Sequence, residues 1–347
     1  MLPLSVLERA GREITNYKGS GMSVMEMSHR SKVFQGIFDE TQEKLRRILQ
    51  VPDGYKILFL QTGATGQFAM VPLNLMGRTG KADYAVTGNF SNLAAKEAMK
   101  YGAVHIAASS EDRNHTYIPQ QEALELDPDA SYFYYCANNT IYGTEWQYVP
   151  ETGNVPVVCD MSSDILSRPV DVSRYGIIFA GAQKNMAPAG LTVAIVKEDL
   201  AGQELPYTPV ILNYKTMIDK DSMYNTPPCW CIYMLGLTLD WVKENGGLAG
   251  MEQLKKKRAS MLYACIDASK RFHCPVEKDS RSDMNVVFRT GDEALDAEFV
   301  QAAAAAGFVN LKGHRKTGGM RASIYNAMPL EGVEQLCAFI EKFDREH

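Results

Sequence analysis

Between residues 34 and 200, short apolar runs alternate with stretches whose apolar residues recur three and four positions apart. The runs are five or six residues long, which suits buried strands, whereas the spaced stretches have the period of a helix. The predicted strands are 56–61, 83–87, 103–107, 131–136, 155–159 and 176–180. The predicted helices are 3–16, 34–49, 92–101 and one from Gln67 onward, with an extended segment at 23–31. This alternation predicts an α/β fold whose mostly parallel central sheet is flanked by helices.

The pattern changes after residue 226. Two long helical stretches are followed by a strand, a helix, a strand and a closing helix, which predicts a smaller α/β domain at the C-terminus. These elements are 227–245, 247–272, 285–289, 292–306, 321–325 and 330–343. The predicted domains are a large domain of residues 1–240 and a small domain of residues 241–347. The basic run 255–258 lies on the second long helix and is interpreted as a solvated helix face.

Composition narrows the class of protein. The chain has 347 residues, 46% of them hydrophobic, and a formal net charge of −5 at pH 7. These values describe a globular chain and argue against nucleic acid or an anionic membrane as the main partner. The sequence shows no apolar stretch of about 18 residues and no signal-peptide pattern. Seven cysteines without framework spacing fit reduced thiols, so a cytoplasmic location is expected.

Several candidate residues follow predicted strands directly. Ligands of parallel α/β sheets bind beyond the carboxyl ends of the strands, so these residues are expected along one edge. The first strand runs into Thr-Gly-Ala-Thr-Gly at 62–66 and then a helix, which presents backbone N–H groups to a phosphate. The segment lacks the lysine of a P-loop and the spacing of a dinucleotide fingerprint, which disfavours ATP and NAD.

Lys184 is the single charge in a loop of small residues between two apolar runs, Ala-Gly-Ala-Gln-Lys-Asn-Met-Ala-Pro at 180–188. A lysine is rarely buried without a partner, and a desolvated lysine amine is suited to Schiff-base chemistry. The small neighbours suit close approach of the backbone to a flat ligand. We therefore predict that Lys184 carries a carbonyl cofactor, with a solvated loop lysine as the alternative.

Asp160 ends an apolar strand, where an isolated carboxylate is expensive to desolvate. It either caps a following helix or pairs with a protonated pyridine nitrogen, which would keep pyridoxal phosphate an electron sink. Further candidates would cover the ring, bond its hydroxyl group, or hold its phosphate. In that order they are Phe90, then Thr140, and then Ala64, Thr65 and Gln183.

Two basic clusters run against the net negative charge. One is Gly-His-Arg-Lys-Thr-Gly-Gly-Met-Arg at 313–321, and the other is the pair His29 and Arg30. Each cluster alone is commonly solvated surface. Together they suit a substrate that carries both a carboxylate and a phosphate, because arginine binds these anions with two parallel hydrogen bonds. The candidate substrate-binding residues are His29, Arg30, His314, Arg315 and Arg321.

Four segments carry a resemblance that covers nearly the whole chain. They are Ser-Val-Met-Glu-Met-Ser-His-Arg (23–30), Ile-Leu-Ser-Arg-Pro-Val-Asp-Val-Ser-Arg-Tyr-Gly (165–176), Ala-Gly-Ala-Gln-Lys-Asn (180–185) and Gly-Gly-Met-Arg-Ala-Ser-Ile-Tyr-Asn-Ala-Met-Pro (318–329). In them the chain resembles the phosphoserine aminotransferase family of class V pyridoxal-phosphate enzymes. The resemblance implies the PLP-dependent transferase fold of type I, with N-terminal residues near the small domain and the active site.

The same resemblance implies a reaction. This is reversible transamination between L-glutamate and 3-phosphohydroxypyruvate, which gives O-phospho-L-serine and 2-oxoglutarate in serine biosynthesis. A second product, 4-phosphohydroxy-L-threonine for pyridoxine biosynthesis, stays open. The resemblance implies that Lys184 holds pyridoxal 5′-phosphate covalently and that Asp160 meets its ring nitrogen.

The remaining roles also come from the resemblance. It implies that Arg30 and Arg321 hold the substrate's carboxylate and phosphate. Asn225 and Thr226 match a pair that reaches the cofactor phosphate of the neighbouring subunit, so a homodimer with shared sites is expected. The other implied cofactor contacts are Ala64, Thr65, Phe90, Thr140 and Gln183, and the supporting substrate contacts are His29, His314 and Arg315.

Three other functions remain open. A cysteine desulfurase needs a nucleophilic cysteine on a mobile loop, and no cysteine has an obvious position of that kind. A small-substrate transaminase would have no use for two basic clusters. A non-catalytic protein that binds pyridoxal phosphate would keep Lys184 but need neither Arg30 nor Arg321. No metal site is expected, since Cys229 and Cys231 lack further ligands nearby.

Overall fold

The protein is described from a computed structural model that covers residues 2–347. Its helices, numbered in chain order, are α1 Leu4–Glu13, α2 Lys32–Ile48, α3 Gly63–Leu75, α4 Asn89–Ala98, α5 Tyr214–Asp219, α6 Cys229–Glu244, α7 Gly247–Ala268, α8 Glu293–Ala305 and α9 Leu330–Glu346. Its strands are β1 Tyr55–Leu60, β2 Lys81–Val86, β3 Ala103–Ser109, β4 Phe133–Cys136, β5 Asn138–Asn139, β6 Thr144–Glu145, β7 Val157–Asp160, β8 Ile177–Gly181, β9 Thr192–Lys197, β10 Asn285–Phe288 and β11 Met320–Ser323.

Seven strands form one sheet in the order β1-β9-β8-β7-β4-β2-β3. Strand β9 is antiparallel to both of its neighbours, and the other four pairs are parallel. Alternate residues of β1 enter two apolar clusters, one against α2 and α6 and the other against α3 and α4. Helices therefore cover both faces of the sheet, which explains the continuous apolar runs. The predicted α/β fold with a mostly parallel sheet is confirmed.

Two local predictions were wrong. Residues 23–31 are not extended but form two turns, closed by backbone bonds from Glu26 to Ser23 and from Ser31 to Ser28. Helix α3 begins at Gly63, four residues before the predicted start. Glycine is required in this turn for a local reason, since a Cβ on Gly66 would lie 2.6 Å from Cβ of Thr62, the N-cap residue four positions earlier. Low helix propensity hid this turn in the sequence.

The C-terminal part of the chain is built around an antiparallel hairpin of β10 and β11. Asn285 faces Ser323 and Val287 faces Arg321 across this hairpin. A third apolar cluster, drawn from residues 259–343, joins the hairpin to α7, α8 and α9. The division of the chain at residues 240 and 241 stays a prediction.

The basic run on α7 is only in part the solvated face that we expected, since Lys256 and Lys257 are exposed whereas Lys255 and Arg258 are buried. Lys255 and Arg258 are each 2% exposed. Lys255 Nζ lies 2.7 Å from Glu145 Oε1, and Arg258 donates to the backbone oxygens of Asn326 and Met328. Both cations lie on the buried stripe of α7, because Lys255 is four residues after the buried Met251. That spacing was the signal for burial, and the charge of the residues obscured it.

Lys255 belongs to a buried cluster of charged side chains that connects α7 to β6 and to the segment after β7. Its Nζ lies 3.6 Å from Asp283 and 3.8 Å from Asp164, and Arg168 donates to Asp164 at 3.0 Å. With Glu145, the cluster contains three carboxyl groups and two cations. Burial, followed by the charge of Asp164, raises the pKa of Glu145 to about 7. One carboxyl group of the cluster is thus expected to hold a proton near neutral pH.

The raised pKa of Glu145 predicts a pH dependence of stability. Its ordinary value is 4.5, so between about 4.5 and about 7 the folded chain binds the proton more tightly than the unfolded chain. This contribution is therefore complete at low pH and is lost as the pH rises through 7, by roughly 1–3 kcal/mol. Glu145→Gln should remove it, so the melting temperature of the wild type should fall relative to that of the variant between pH 5.5 and 8. Parallel melting curves across this range would contradict the assignment.

Candidate active site

Lys184 lies in the loop that joins β8 to β9 at the edge of the sheet. Its side chain is half-buried, and Nζ donates a hydrogen bond to Thr140 Oγ1 at 2.7 Å. The same Nζ lies 5.5 Å from the centre of the Phe90 ring, at the start of α4. Three candidates from separate parts of the chain, Phe90, Thr140 and Lys184, thus lie together around the Lys184 amine. The amine is held between a hydroxyl group and an aromatic face rather than in bulk water.

Asp160 ends β7 and is 4% exposed. Its Oδ1 accepts a hydrogen bond from the Ser162 N–H at 2.9 Å, and a turn rather than a helix follows. Burial raises the pKa of this carboxyl group, and the Ser162 bond and the charge of Lys184 act in the opposite direction. A carboxylate has about four acceptor sites, and Ser162 is the described residue that donates to this one. Asp160 can therefore accept one further strong hydrogen bond, and it does not cap a helix.

The first turn of α3 contains Ala64 and Thr65. The N-cap residue is Thr62, and its side chain makes no capping hydrogen bond. The first N–H groups of a helix have no intrahelical partner, so this turn can bind an anion. Gln183 is exposed, and its side chain lies against Gly181. A Cβ on Gly181 would lie 2.7 Å from Gln183 Oε1, so glycine leaves the space that this side chain occupies.

Asn225 and Thr226 lie beside Gln61, at the end of β1. Asn225 Nδ2 donates to Gln61 Oε1 at 3.4 Å, and Gln61 Nε2 donates to the Thr226 backbone oxygen. Our sequence reasoning missed Gln61, although it directly precedes the glycine-rich segment. The two residues therefore lie at the β1–α3 turn of their own chain. Whether they reach the neighbouring subunit's cofactor stays a prediction.

Arg321 on β11 forms a hydrogen bond with Thr140, as Lys184 does. Its Nη1 donates to the Thr140 backbone oxygen at 3.4 Å, and its Nε is buried without a hydrogen-bond partner. Within residues 2–347, no carboxylate lies within 4.0 Å of this guanidinium group. Burial and then the charges of Arg321 and Arg315 lower the pKa of the half-buried His314. The result is an electropositive region with an unpaired arginine at its inner end.

His29 and Arg30 lie outside this group of hydrogen-bonded candidates in the described part of the chain. Arg30 is exposed, and its backbone N–H donates to Ser28 Oγ. His29 is half-buried, and in the described part of the chain neither side chain is hydrogen-bonded to Thr140, Lys184 or Arg321. Within one copy of the chain, hydrogen bonds and packing therefore join Phe90, Thr140 and Lys184 to Arg321 on β11. They do not join His29 and Arg30 to this group.

The family model for class-V aminotransferases matches residues 1–336. The chain belongs to the class-V aminotransferase family. A phosphoserine aminotransferase from Laribacter hongkongensis (strain HLHK9) is 53% identical to this class-V aminotransferase, over 100% of the chain and 97% of the relative. The solved phosphoserine aminotransferase from Bacillus circulans subsp. alkalophilus is 47% identical, with a TM-score of 0.98 over 100% of this chain and 96% of that one.

A second solved structure contains the cofactor. It is a PLP-bound phosphoserine aminotransferase from Trichomonas vaginalis, which is 38% identical to this class-V aminotransferase. Its TM-score is 0.94, and the match covers 98% of this chain and 97% of that one. These likenesses confirm the predicted fold type I and the predicted class of enzyme, an aminotransferase.

All the cysteines of this class-V aminotransferase are at least partly shielded from solvent. All seven lie in the described residues as free thiols, and each is buried or half-buried. Cys136 ends β4, where burial raises the pKa of its thiol well above the ordinary value and the charges of Asp160 and Lys184 also act on it. A buried thiol with a raised pKa is a poor nucleophile. This observation disfavours a cysteine desulfurase.

Residues 2–347 lack two features. No group of three or more histidine, cysteine, aspartate or glutamate side chains is arranged to hold a metal ion. In the same residues, no helix combines the length and the apolar character that a membrane span requires.

Proposed function

We propose that this class-V aminotransferase is a phosphoserine aminotransferase. It would transfer the amino group of L-glutamate to 3-phosphohydroxypyruvate and release O-phospho-L-serine and 2-oxoglutarate. The observation that carries the proposal is the unpaired guanidinium group of Arg321, which binds the same threonine as Lys184. Identity of about 50% along the full chain to proteins of that name supports it.

The side chains fit pyridoxal 5′-phosphate. The fit rests on an uncapped helix N-terminus, a buried carboxylate with unused acceptor sites, and an amine beside an aromatic ring. When bound, the cofactor supplies an aldehyde and a ring that withdraws electrons from the reacting carbon. The residues that would hold it are Ala64, Thr65, Phe90, Thr140, Asp160, Gln183, Lys184, Asn225 and Thr226.

Each inner residue would do one task. Lys184 would bind the aldehyde through its amine and, when free, move the α-proton of the substrate. Thr140 orients that amine through the bond to Oγ1. Asp160 would accept a charge-assisted hydrogen bond from the protonated ring nitrogen, since Ser162 uses only part of the acceptor capacity of its carboxylate.

Arg321 would take the substrate carboxylate. In both substrates the reacting carbon carries a carboxylate directly, and the second anion, a phosphate in the acceptor and a carboxylate in glutamate, is several bonds farther away. A guanidinium group that shares Thr140 with the reacting amine is therefore placed for the nearer anion. The outer basic residues would bind the phosphate of the acceptor or the distal carboxylate of glutamate. They are His29, Arg30, His314 and Arg315.

Substitution of Arg321 should impair both substrates. Arg321→Lys removes the paired hydrogen bonds of the guanidinium group but keeps the charge, so kcat/KM should fall about 10–100-fold for glutamate and for the acceptor alike. Arg315→Ala is the contrasting variant, with a loss confined to substrates that carry the phosphate or the distal carboxylate. Steady-state kinetics with 3-phosphohydroxypyruvate and unphosphorylated 3-hydroxypyruvate separate the two. A loss in Arg321→Lys that is confined to the phosphorylated acceptor would move Arg321 to the phosphate end.

We also propose a homodimer with shared sites in the cytoplasm. Large apolar side chains are exposed near the N-terminal pair, among them Leu4, Leu7, Met22 and Met25. A second copy would cover them and could bring His29 and Arg30 to a site that they do not reach in their own chain. Seven free thiols support a reducing compartment. A monomer in sedimentation at micromolar concentration would contradict the dimer.

The proposed activity is tested by following phosphoserine formation from glutamate and 3-phosphohydroxypyruvate. Glutamate alone should bleach the yellow cofactor absorbance, and the acceptor should restore it. Equal rates with glyoxylate as the acceptor would indicate a small-substrate transaminase, and sulfide release from cysteine would indicate a desulfurase. Absence of all turnover in the protein loaded with cofactor would indicate a binding protein.

A further inference from the structure

A chain of buried hydrogen bonds begins at the reacting amine and leads away from it. Thr140 Oγ1, which accepts from Lys184, donates to Ser163 Oγ at 3.0 Å. Ser163 in turn donates to the backbone oxygen of Asn138 at 2.8 Å and accepts from Asn138 Nδ2 at 2.9 Å. The orientation of Thr140 is thus set by a serine whose own position is set by Asn138.

Asn138 is 1% exposed and connects the two parts of the chain. Its Nδ2 also donates to Asn285 Oδ1 at 2.8 Å, and its Oδ1 accepts from Ser282 Oγ at 2.5 Å. Both N–H donors and the carbonyl oxygen of this amide are therefore used. Of its side-chain partners, Ser163 follows β7 of the seven-stranded sheet, whereas Ser282 and Asn285 lie just before and at the start of β10.

The chain of bonds returns to its starting point. Asn285 Nδ2 donates to Ser323 Oγ at 3.0 Å, and Ser323 lies on the same face of β11 as Arg321, two residues away. Arg321 then donates to the Thr140 backbone oxygen. We name this closed path the amide ring: Thr140, Ser163, Asn138, Asn285, Ser323 and Arg321.

Close packing supports the amide ring. Gly143 follows Asn138 at the tip of the β5–β6 hairpin, has φ +75°, and would place a Cβ 2.7 Å from Cγ2 of Val287. Its backbone oxygen accepts from the Ser282 N–H at 2.9 Å. The two hairpins are therefore in close contact at Gly143, and a displaced amide would leave buried polar groups unpaired. The ring thus resists sliding of β11 relative to the site.

We propose that Asn138 is a positioning residue, whose side-chain amide holds the Arg321 guanidinium group in register with the Lys184 amine. This inference rests on the proposed function, in which Arg321 binds the substrate carboxylate. A carboxylate fixed relative to the amine aligns the adjacent carbon for reaction, so a small displacement of β11 lowers both binding and turnover.

The test is a double-mutant cycle of Asn138→Ala and Arg321→Lys on the protein loaded with cofactor. The dissociation constant of 2-oxoglutarate, measured by calorimetry, reports carboxylate binding without turnover. Asn138→Ala should raise it about tenfold in the wild-type background and less than twofold in Arg321→Lys, because the amide acts through the guanidinium group. Equal effects in both backgrounds would show a merely structural role and overturn the proposal.

A matched control is available in Asn74. It is also 1% exposed, and it bonds the backbones of Met70, Leu212 and Tyr214, away from the amide ring. Asn74→Ala should lower the melting temperature without changing 2-oxoglutarate binding. If it weakens binding as much as Asn138→Ala does, the proposal is wrong. Where Asn138→Ala does not fold, Ser163→Ala interrupts the same ring and is judged by the same cycle.

The two proposals fail in different ways. A wild-type protein that forms no phosphoserine refutes the proposed function, yet the binding cycle can still show coupling between Asn138 and Arg321. If the wild type and Arg321→Lys bind 2-oxoglutarate equally, or if neither binds it, Arg321 holds no carboxylate for the amide to position. In that case the inference about Asn138 falls.

Discussion

Replacement of Lys184 by alanine is expected to abolish amino transfer and the visible absorbance of the bound cofactor. Lys184 is the single charged side chain between β8 and β9, and its Nζ is held by Thr140 beside the Phe90 ring. The variant loses both the covalent attachment and the group that would move the α-proton. We expect kcat/KM to fall by at least ~10³-fold.

The control for Lys184→Ala is Lys197→Ala. Lys197 ends β9, has an exposed side chain, and pairs with Asp199 outside the site. This variant should keep the absorbance and the full rate, and both variants should melt close to the wild type. A small primary amine added to Lys184→Ala should restore part of the rate, because it can occupy the space of the lost group. Retention of the yellow absorbance in Lys184→Ala would refute the assignment.

Replacement of Lys255 by alanine is expected to destabilise the fold by about 3–5 kcal/mol. Lys255 is the cation that lies between Glu145, Asp164 and Asp283. Without it, Arg168 alone faces three carboxyl groups, and Glu145 and Asp164 are at most 1% exposed. The loss should therefore come from buried charge that has no partner, and far less from lost packing. Urea unfolding measures it as a lower midpoint.

The neighbouring Lys256 provides the control for Lys255. It lies on the same helix, its side chain is 63% exposed, and it pairs with Glu252 one turn earlier. Lys256→Ala should change the stability by about 0.5 kcal/mol or less. Addition of Glu145→Gln to Lys255→Ala should restore part of the stability, because it removes one of the unpaired charges. Equal midpoints for Lys255→Ala and Lys256→Ala would mean that the cluster contributes little.

Much of the fold and part of the candidate site followed from the sequence alone. Apolar period and run length are local properties, and they located the strands of the sheet and most of the helices. The rule that ligands lie beyond the carboxyl ends of parallel strands then selected Asp160 and Lys184. The structure brings both to one edge of the sheet, where Lys184 bonds Thr140 from another strand end and its charge opposes the rise that burial causes in the pKa of Asp160. Their catalytic roles stay predictions.

Only the tertiary structure decided which distant groups meet. The bond between Arg321 and Thr140 joins residues 181 positions apart, and the bond between Asn138 and Asn285 joins residues 147 apart. A sequence shows the charge and polarity of such residues, but not their partners. Lys255 therefore looked like solvated surface, although its place on the apolar stripe of α7 puts it in the interior. Whether a polar group is exposed or buried depends on which other segment packs against it, and packing of that kind has no local period.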